Sequence, residues 1–238
     1  METVASTPQL PWTLRDRYTF TIGNASFIYL ADSGEWRVQV EGVGPVVERA
    51  GYGVVLTDGT RLAPCEARNG TSSIKRHNDE FGAGAVIVVE MPTTQGISVR
   101  HSLKVSREWP FLVLGVEVEN KRDEPVEISR IESARFSLDN LSSTGQVRQR
   151  AMRVRGPYLV PARGPRHILT VIEDVDNEFT VAIGPLSEGI AESKTSATSY
   201  EGRWQVSVVS EFEPPAQVGS GQTLQCDPVW ISYSVSRP

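Results

Sequence analysis

The sequence predicts an all-β protein, built as a large two-sheet antiparallel β-sandwich. Three observations carry that reading. Apolar and polar residues alternate at period two in segment after segment, the mark of strands with one face buried. Turn signals such as Gly23-Asn24, Asp32-Ser33-Gly34 and Asp58-Gly59 separate those segments at short intervals. No stretch sustains a 3.6-residue apolar period, so helices contribute little. Many short strands joined by turns make sandwiches or barrels.

In chain order, residues 1–15, with Pro8 and Pro11, read as a loose lead-in, and residues 16–238 as one β-sandwich domain. Tyr18, Phe20 and Ile22 alternate with Arg17, Thr19 and Thr21. Phe27 to Leu30 is a second apolar run, and Trp36, Val38 and Val40 alternate with Arg37, Gln39 and Glu41. This is a meander of short strands. Tyr52 to Leu56 is a further strand, and residues 61–73 read as a loop. The apolar run Ala83 to Met91 suits a strand buried on both faces or lying between two sheets. Ile97, Val99, His101, Leu103 and Val105 oppose Ser98, Arg100, Ser102, Lys104 and Ser106 in the cleanest alternation of the chain.

The central stretch is Arg107 to Phe136. Leu112, Leu114, Val116 and Val118 share one side of a strand, with Gly115, Glu117 and Glu119 on the other. A charged segment closed by Pro125 follows, and proline cannot donate to a ladder, so this is a turn or a strand edge. Val126 and Ile128 resume the alternation, which slips by one residue at Ser129-Arg130, as a β-bulge would make it. The whole reads as a long antiparallel hairpin. Residues 137–152 read as a loop, and the prolines and glycines of Val154 to Pro165 exclude a helix interior. Ile168–Ile172, Phe179–Ile183, Trp204–Val209 and Val229–Val235 complete the strands. Ser187 to Ser199 is the one segment where a short helix is entertained. Pro214-Pro215 and Gly219-Ser220-Gly221 punctuate the C-terminal part.

The net charge of −5 comes without a basic patch, which argues against nucleic acid as a partner. No apolar run is long enough for a membrane helix, and the N-terminus has no signal-peptide pattern, so a cytoplasmic protein with no membrane partner is expected. Cys65 and Cys226 stand too far apart for a local metal or redox motif and are read as separate thiols. The three histidines, His77, His101 and His167, show no metal-ligand spacing. No metal and no cofactor are expected.

The order of motifs resembles a known family. Phe81-Gly82-Ala83-Gly84 leads into an apolar strand, the alternating strand Ile97–Ser106 follows, Trp109-Pro110-Phe111 opens the next, and that one ends in Val118-Glu119-Asn120. The C-terminal segment VGSGQTLQCDPVWISYS is similar too. Together they resemble the N-terminal β-supersandwich domain of melibiase-type α-galactosidases (glycoside hydrolase family 36), a galactose-mutarotase-like fold. The resemblance implies a carbohydrate-associated domain without the family's catalytic barrel, on which that family carries its catalytic carboxylates. No catalytic residue is therefore assigned, and the chain is more readily a non-catalytic domain than an enzyme.

Docking, oligomerisation and sugar contact are the roles such a domain could serve. The partners left open are a carbohydrate, a second copy of the chain and a separate catalytic domain. Trp12 and Trp109 stand outside the core stripes, where an indole can stack on a sugar ring or on a partner. Trp36, Trp204 and Trp230 are read as core. His77, Asp79 and Glu80 lie in a polar segment read as a loop and could hydrogen-bond hydroxyls. The alternative is a small mutarotase- or epimerase-like sugar-modifying enzyme. It needs a general acid and base in one cleft, and His101 with Glu117 or Glu119 is the available pair. Parity places the two glutamates away from the apolar stripe that carries His101.

Overall fold

Burying one face of each strand leaves two sheets to close over a shared core. A computed structural model describes residues 17–22, 25–30, 33–62, 71–79, 82–92, 95–106, 111–139, 141, 147–155, 158–161, 169–176, 178–186, 191–200 and 203–235. The chain lays down β1 (Arg17–Ile22), β2 (Ala25–Leu30), β3 (Glu35–Val40), β4 (Gly44–Leu56) and β5 (Arg61–Leu62) in one sheet. It crosses to the second sheet for β6 (Thr71–Asp79), β7 (Gly82–Pro92), β8 (Ile97–Ser106) and β9 (Phe111–Asn120). β10 (Val126–Leu138) returns to the first sheet. The second sheet then takes β11 (Val147–Arg155), β12 (Tyr158–Pro161), β13 (Leu169–Asp174) and β14 (Phe179–Pro185). β15 (Glu192–Tyr200) and β16 (Arg203–Val218) close the first sheet, and β17 (Thr223–Gln225) and β18 (Val229–Val235) close the second.

Among the described residues, the first sheet has eight strands in the order β1-β2-β3-β4-β10-β16-β15, with β5 on β4. The second has ten, in the order β12-β11-β13-β14-β18-β9-β8-β7-β6, with β17 on β9. All pairings are antiparallel. The predicted class, an all-β two-sheet antiparallel sandwich, is the observed one. Among the described residues no helix is long and apolar enough to cross a membrane.

The core joins both sheets in one cluster. Tyr29, Trp36, Leu62, Ile128 and Ile131 from the first meet Ile87, Met91, Leu103, Leu112 and Leu114 from the second, all fully buried. Trp36 stacks on Phe27 and tilts onto Phe136, each at 5.2 Å between ring centroids. Burying a side chain of this size stabilises by roughly 1.5–3 kcal/mol, so the alternation itself fixes register. The one-residue slip read at Ser129-Arg130 is a register shift of β10 against both β16 and β4.

Several expectations are corrected. β9 and β10 are not a hairpin: they lie in different sheets, and residues 121–125 arch from one to the other. A charged, proline-closed turn looks alike in both cases, because pairing is decided by the partner strands and not by the turn. The run Ala83–Met91 is not buried on both faces. Ala85, Ile87, Val89 and Met91 are buried, whereas Val86 and Val88 are half-exposed on the outer face. The segment read as a loop over 61–73 begins with β5 and ends in β6. The predicted loop 137–152 begins with the last two residues of β10 and ends in the first six of β11.

The helix entertained within Ser187–Ser199 is, over its described part, mostly strand β15. Its inward face carries Ser193 and Thr195, buried polar residues that erase the apolar alternation. Pro214-Pro215 lies within β16, where the partner register jumps from Ile128↔Ala216 to Arg130↔Glu211. An irregular stretch of that kind tolerates prolines that a regular ladder excludes.

Asn120 closes the arch. It is 1% exposed, and its Nδ2 donates to the carbonyls of Glu124, at 2.8 Å, and Val218, at 2.9 Å. Its Oδ1 accepts from the Arg122 amide at 2.9 Å. Its own amide donates to the Gln222 carbonyl and its carbonyl accepts from the Gly221 amide.

Val118, 1% exposed on β9, tests the inward parity. Val118→Asp places an unpaired charge in the core and is expected to cost several kcal/mol, about 3–5, in chemical denaturation. Unfolding at the wild-type midpoint would show that the inward face has been misassigned.

Candidate functional site

The outer face of the ten-stranded sheet is built by the residues that alternate out of the core. Pairing registers align Thr71, Glu90, Arg100, Glu117 and Gln225 across β6, β7, β8, β9 and β17. Two residues along, Ser73, Val88, Ser102 and Gly115 form a second row. Lys75, Val86, Lys104, Val113 and Trp230 form a third. Over part of this face lies an open depression of about 690 Å³, with Val86 and Val88 in its floor and Arg100, Glu90, Glu117 and Ser102 among its lining.

The polar row is held by its own contacts. Arg100 Nη1 donates to Glu117 Oε2 at 2.8 Å, and Gln225 Nε2 donates to Glu117 Oε1 at 3.0 Å. Glu90 Oε1 accepts from Lys121 Nζ at 2.9 Å and from Ser98 Oγ at 3.1 Å. The Lys121 hydrogen bond, chiefly, keeps the Glu90 carboxyl below the usual range. The Glu117 hydrogen bond raises Arg100, so the guanidinium stays charged. Glu119 lies 3.6 Å from Lys121. Gly115 leaves bare backbone here: a Cβ at that position would meet Ser102 Oγ at 2.6 Å. The result is a face of oriented donors and acceptors beside a shallow apolar floor.

Trp230 extends this face. It is half-buried on the outer side, opposite Val113, and not in the core as predicted. Phe111, also half-buried, falls on the same side by parity. Val113 and Glu117 are four residues apart on β9, a span of about 14 Å. The clue was present in the sequence: Val229, Ile231 and Tyr233 share one parity, and Trp230 falls with Ser232 on the other. Trp36 is core, and Trp204 packs against the core, as read.

The other predicted site residues are dispersed. His101 faces the core at 0% exposure, opposite Val116, whereas Glu117 and Glu119 lie on the outer face. The acid–base pair of the epimerase reading is therefore not assembled, because neighbouring residues of a strand point to opposite faces. His101 stacks on Tyr29, leans on Tyr52 and shares a 2.6 Å hydrogen bond between its Nδ1 and the Tyr29 hydroxyl. Its buried Nε2 has no partner among the described residues.

His77 and Asp79 belong to the edge strand β6 and not to a loop. The His77 ring lies against β7 and β8, with Nε2 at 3.2 Å from the Val105 carbonyl and so close to Gly84 that a Cβ there would sit 2.6 Å away. Trp12, Trp109, Glu80, His167 and Cys65 lie outside the described residues. Cys226 is buried as a free thiol, and burial raises its pKa. Among the described residues no cluster of His, Cys, Asp and Glu could hold a metal ion.

No protein-family model matches the chain, and no curated protein is similar to it in sequence. Solved structures do match in fold. The Slr1438 protein of Synechocystis sp. PCC 6803 superposes with a TM-score of 0.59 at 9% identity, covering 99% of this chain and 100% of that one. The GH36 α-galactosidase AgaB of Geobacillus stearothermophilus superposes with a TM-score of 0.62 at 10% identity, over 92% of this chain and 40% of the enzyme. The galactosidase domain of the α-galactosidase-sucrose kinase AgaSK gives 0.65 at 10% identity, over 92% and 41%. The fold is thus that of the β-supersandwich region of these enzymes, and the chain spans about 40% of their length.

Burial holds His101 neutral, with its pKa lowered to about 3. The unfolded chain binds this proton below about pH 6.5 and the folded chain does not. Stability from this group is complete above pH 6.5 and is lost progressively as pH falls toward 3. The His101 ring resonances are expected to stay constant from pH 8 to 5, and a titration midpoint near 6.5 would contradict the burial.

Proposed function

We propose that this chain is a non-catalytic, carbohydrate-associated β-sandwich domain that contacts a saccharide through the outer face of its ten-stranded sheet. The observation that carries the reading is the row Glu90-Arg100-Glu117-Gln225, whose ion pairs and hydrogen bonds fix donors and acceptors over an apolar floor. Sugar hydroxyls take both a donor and an acceptor, and a carboxylate beside a guanidinium offers the two together. Trp230 and Phe111, on the same face, suit the apolar side of a pyranose ring. The fold likeness to GH36 α-galactosidases supports a carbohydrate setting. The separation of His101 from Glu117 and Glu119 removes the support for an epimerase.

Saturation-transfer NMR and calorimetry with a panel of galactosides and other short oligosaccharides test this. Binding in the millimolar range is expected, weakened about tenfold or more by Arg100→Ala, as the loss of a charged hydrogen bond implies. Trp230→Ala is expected to weaken it as well. An aryl α-galactoside should be bound or ignored but not hydrolysed. Absence of binding to every saccharide, binding indifferent to Arg100 and Trp230, or turnover lost on mutation within the chain would overturn the proposal.

A further inference from the structure

The opposite side of the molecule, the outer face of the eight-stranded sheet, holds a different kind of site. Glu132 lies there, 6% exposed, at the bulged middle of β10. The register shifts between Glu132 and Ala134 against β16, and between Glu132 and Arg135 against β4. An odd spacing would send Arg135 to the other face of a regular strand; the extra residue of the bulge brings it beside Arg130 and Glu132. Arg61 joins them from β5. Its Nη2 pairs directly with Glu132 Oε2 across Gly53, where a Cβ would sit 3.0 Å from Arg61 Nη2 and 3.1 Å from the Glu132 oxygen. The guanidiniums of Arg130 and Arg135 stand further off, each 3.7 Å from a Glu132 oxygen.

These three arginines and the one glutamate line a cavity of about 380 Å³. The rest of its wall is uncharged: apolar Val206 and the polar Ser196, Thr198, Gln205 and Ser207, with Ser196 Oγ 2.8 Å from Ser207 Oγ. One carboxylate against three guanidiniums leaves a local charge of about +2, since arginine does not lose its proton. Glu132 takes up Arg61 by direct contact, whereas Arg130 and Arg135 lie beyond hydrogen-bond range of it and keep donors for another acceptor.

We infer that this cavity is an oxyanion site for a phosphate monoester or free phosphate. A phosphoryl group near pH 7 carries a charge of about −1.5 to −2, which the surplus can meet. It presents three oxygens to guanidinium forks, the geometry arginine recognises best. The volume exceeds one phosphoryl group, and the hydroxyls of Ser196, Thr198 and Ser207 suit the polar remainder of an ester. This site is on the other sheet from the proposed saccharide face and does not depend on it.

Phosphorus NMR and calorimetry on the full chain, at low ionic strength, test the site with inorganic phosphate, a hexose 1-phosphate and galacturonate. Phosphate and the hexose phosphate are expected to bind, more weakly as salt rises. The dianions should be preferred over the singly charged uronate. Tighter binding of the hexose phosphate marks an ester as the ligand, and equal binding marks phosphate itself; both support the site. Arg130→Ala and Arg135→Ala change half-exposed side chains and leave the Arg61–Glu132 pair in place. Each should weaken binding about tenfold or more. No phosphate binding, equal affinity for galacturonate, or affinity insensitive to Arg130 and Arg135 in variants that unfold like the wild type would overturn the inference.

Discussion

The hydrogen bonds of Asn120 are the constraint on which the rest of the structure depends. A sandwich whose chain passes repeatedly between sheets must turn corners without stranding backbone polar groups away from water. Asn120 meets that demand where two passages run side by side, β9 to β10 and β16 to β17. Its side chain ties the arch at Glu124 and Arg122 to the end of β16 at Val218. Its main chain ties the end of β9 to the turn before β17. Around it, Lys121 donates its amide to the Gly96 carbonyl, and Gly96 holds a φ of +67° in the turn before β8. Asparagine serves here because its amide donates twice and accepts at once.

With the two sheets held in place, their outer faces acquire different chemistry. The ten-stranded sheet sets alternating charges in a row, so its cations and carboxylates largely satisfy one another. The eight-stranded sheet gathers three arginines on one buried carboxylate, and Gly53 and the β10 bulge create the crowding. Between the sheets, a small polar patch sits inside the apolar core. Cys226 Sγ meets the hydroxyls of Ser210 at 2.9 Å and Ser133 at 3.2 Å. Ser193 links Ser210 to the buried Asp227. Such groups are tolerated in a core because each is hydrogen-bonded.

Much of the fold was legible because burial on one face writes itself as period two. The strands holding Trp36, Leu103, Val116 and Ile231 could be read from that pattern, and so could the bulge after Ile128. What was illegible was long-range. Nothing in residues 121–125 states which sheet the next strand joins, and Ser193 and Thr195 hide β15 because the side chains it buries are polar. The sites were less legible still. The parity of Glu117 against His101 could be read and already spoke against an epimerase pair. The convergence of Arg61 with Glu132 could not, because it joins segments about seventy residues apart through a strand pairing that local pattern does not specify.

Equilibrium denaturation of Asn120→Ala tests the central claim most directly. Three hydrogen bonds, one buried and two part-buried, end on this side chain, and removing it leaves two carbonyls and one amide without that partner. A loss of about 2–4 kcal/mol is expected, with fluorescence and circular dichroism reporting one transition. A variant within about 0.5 kcal/mol of the wild type, the range of an ordinary surface substitution, would contradict the account and place the control of sheet pairing elsewhere.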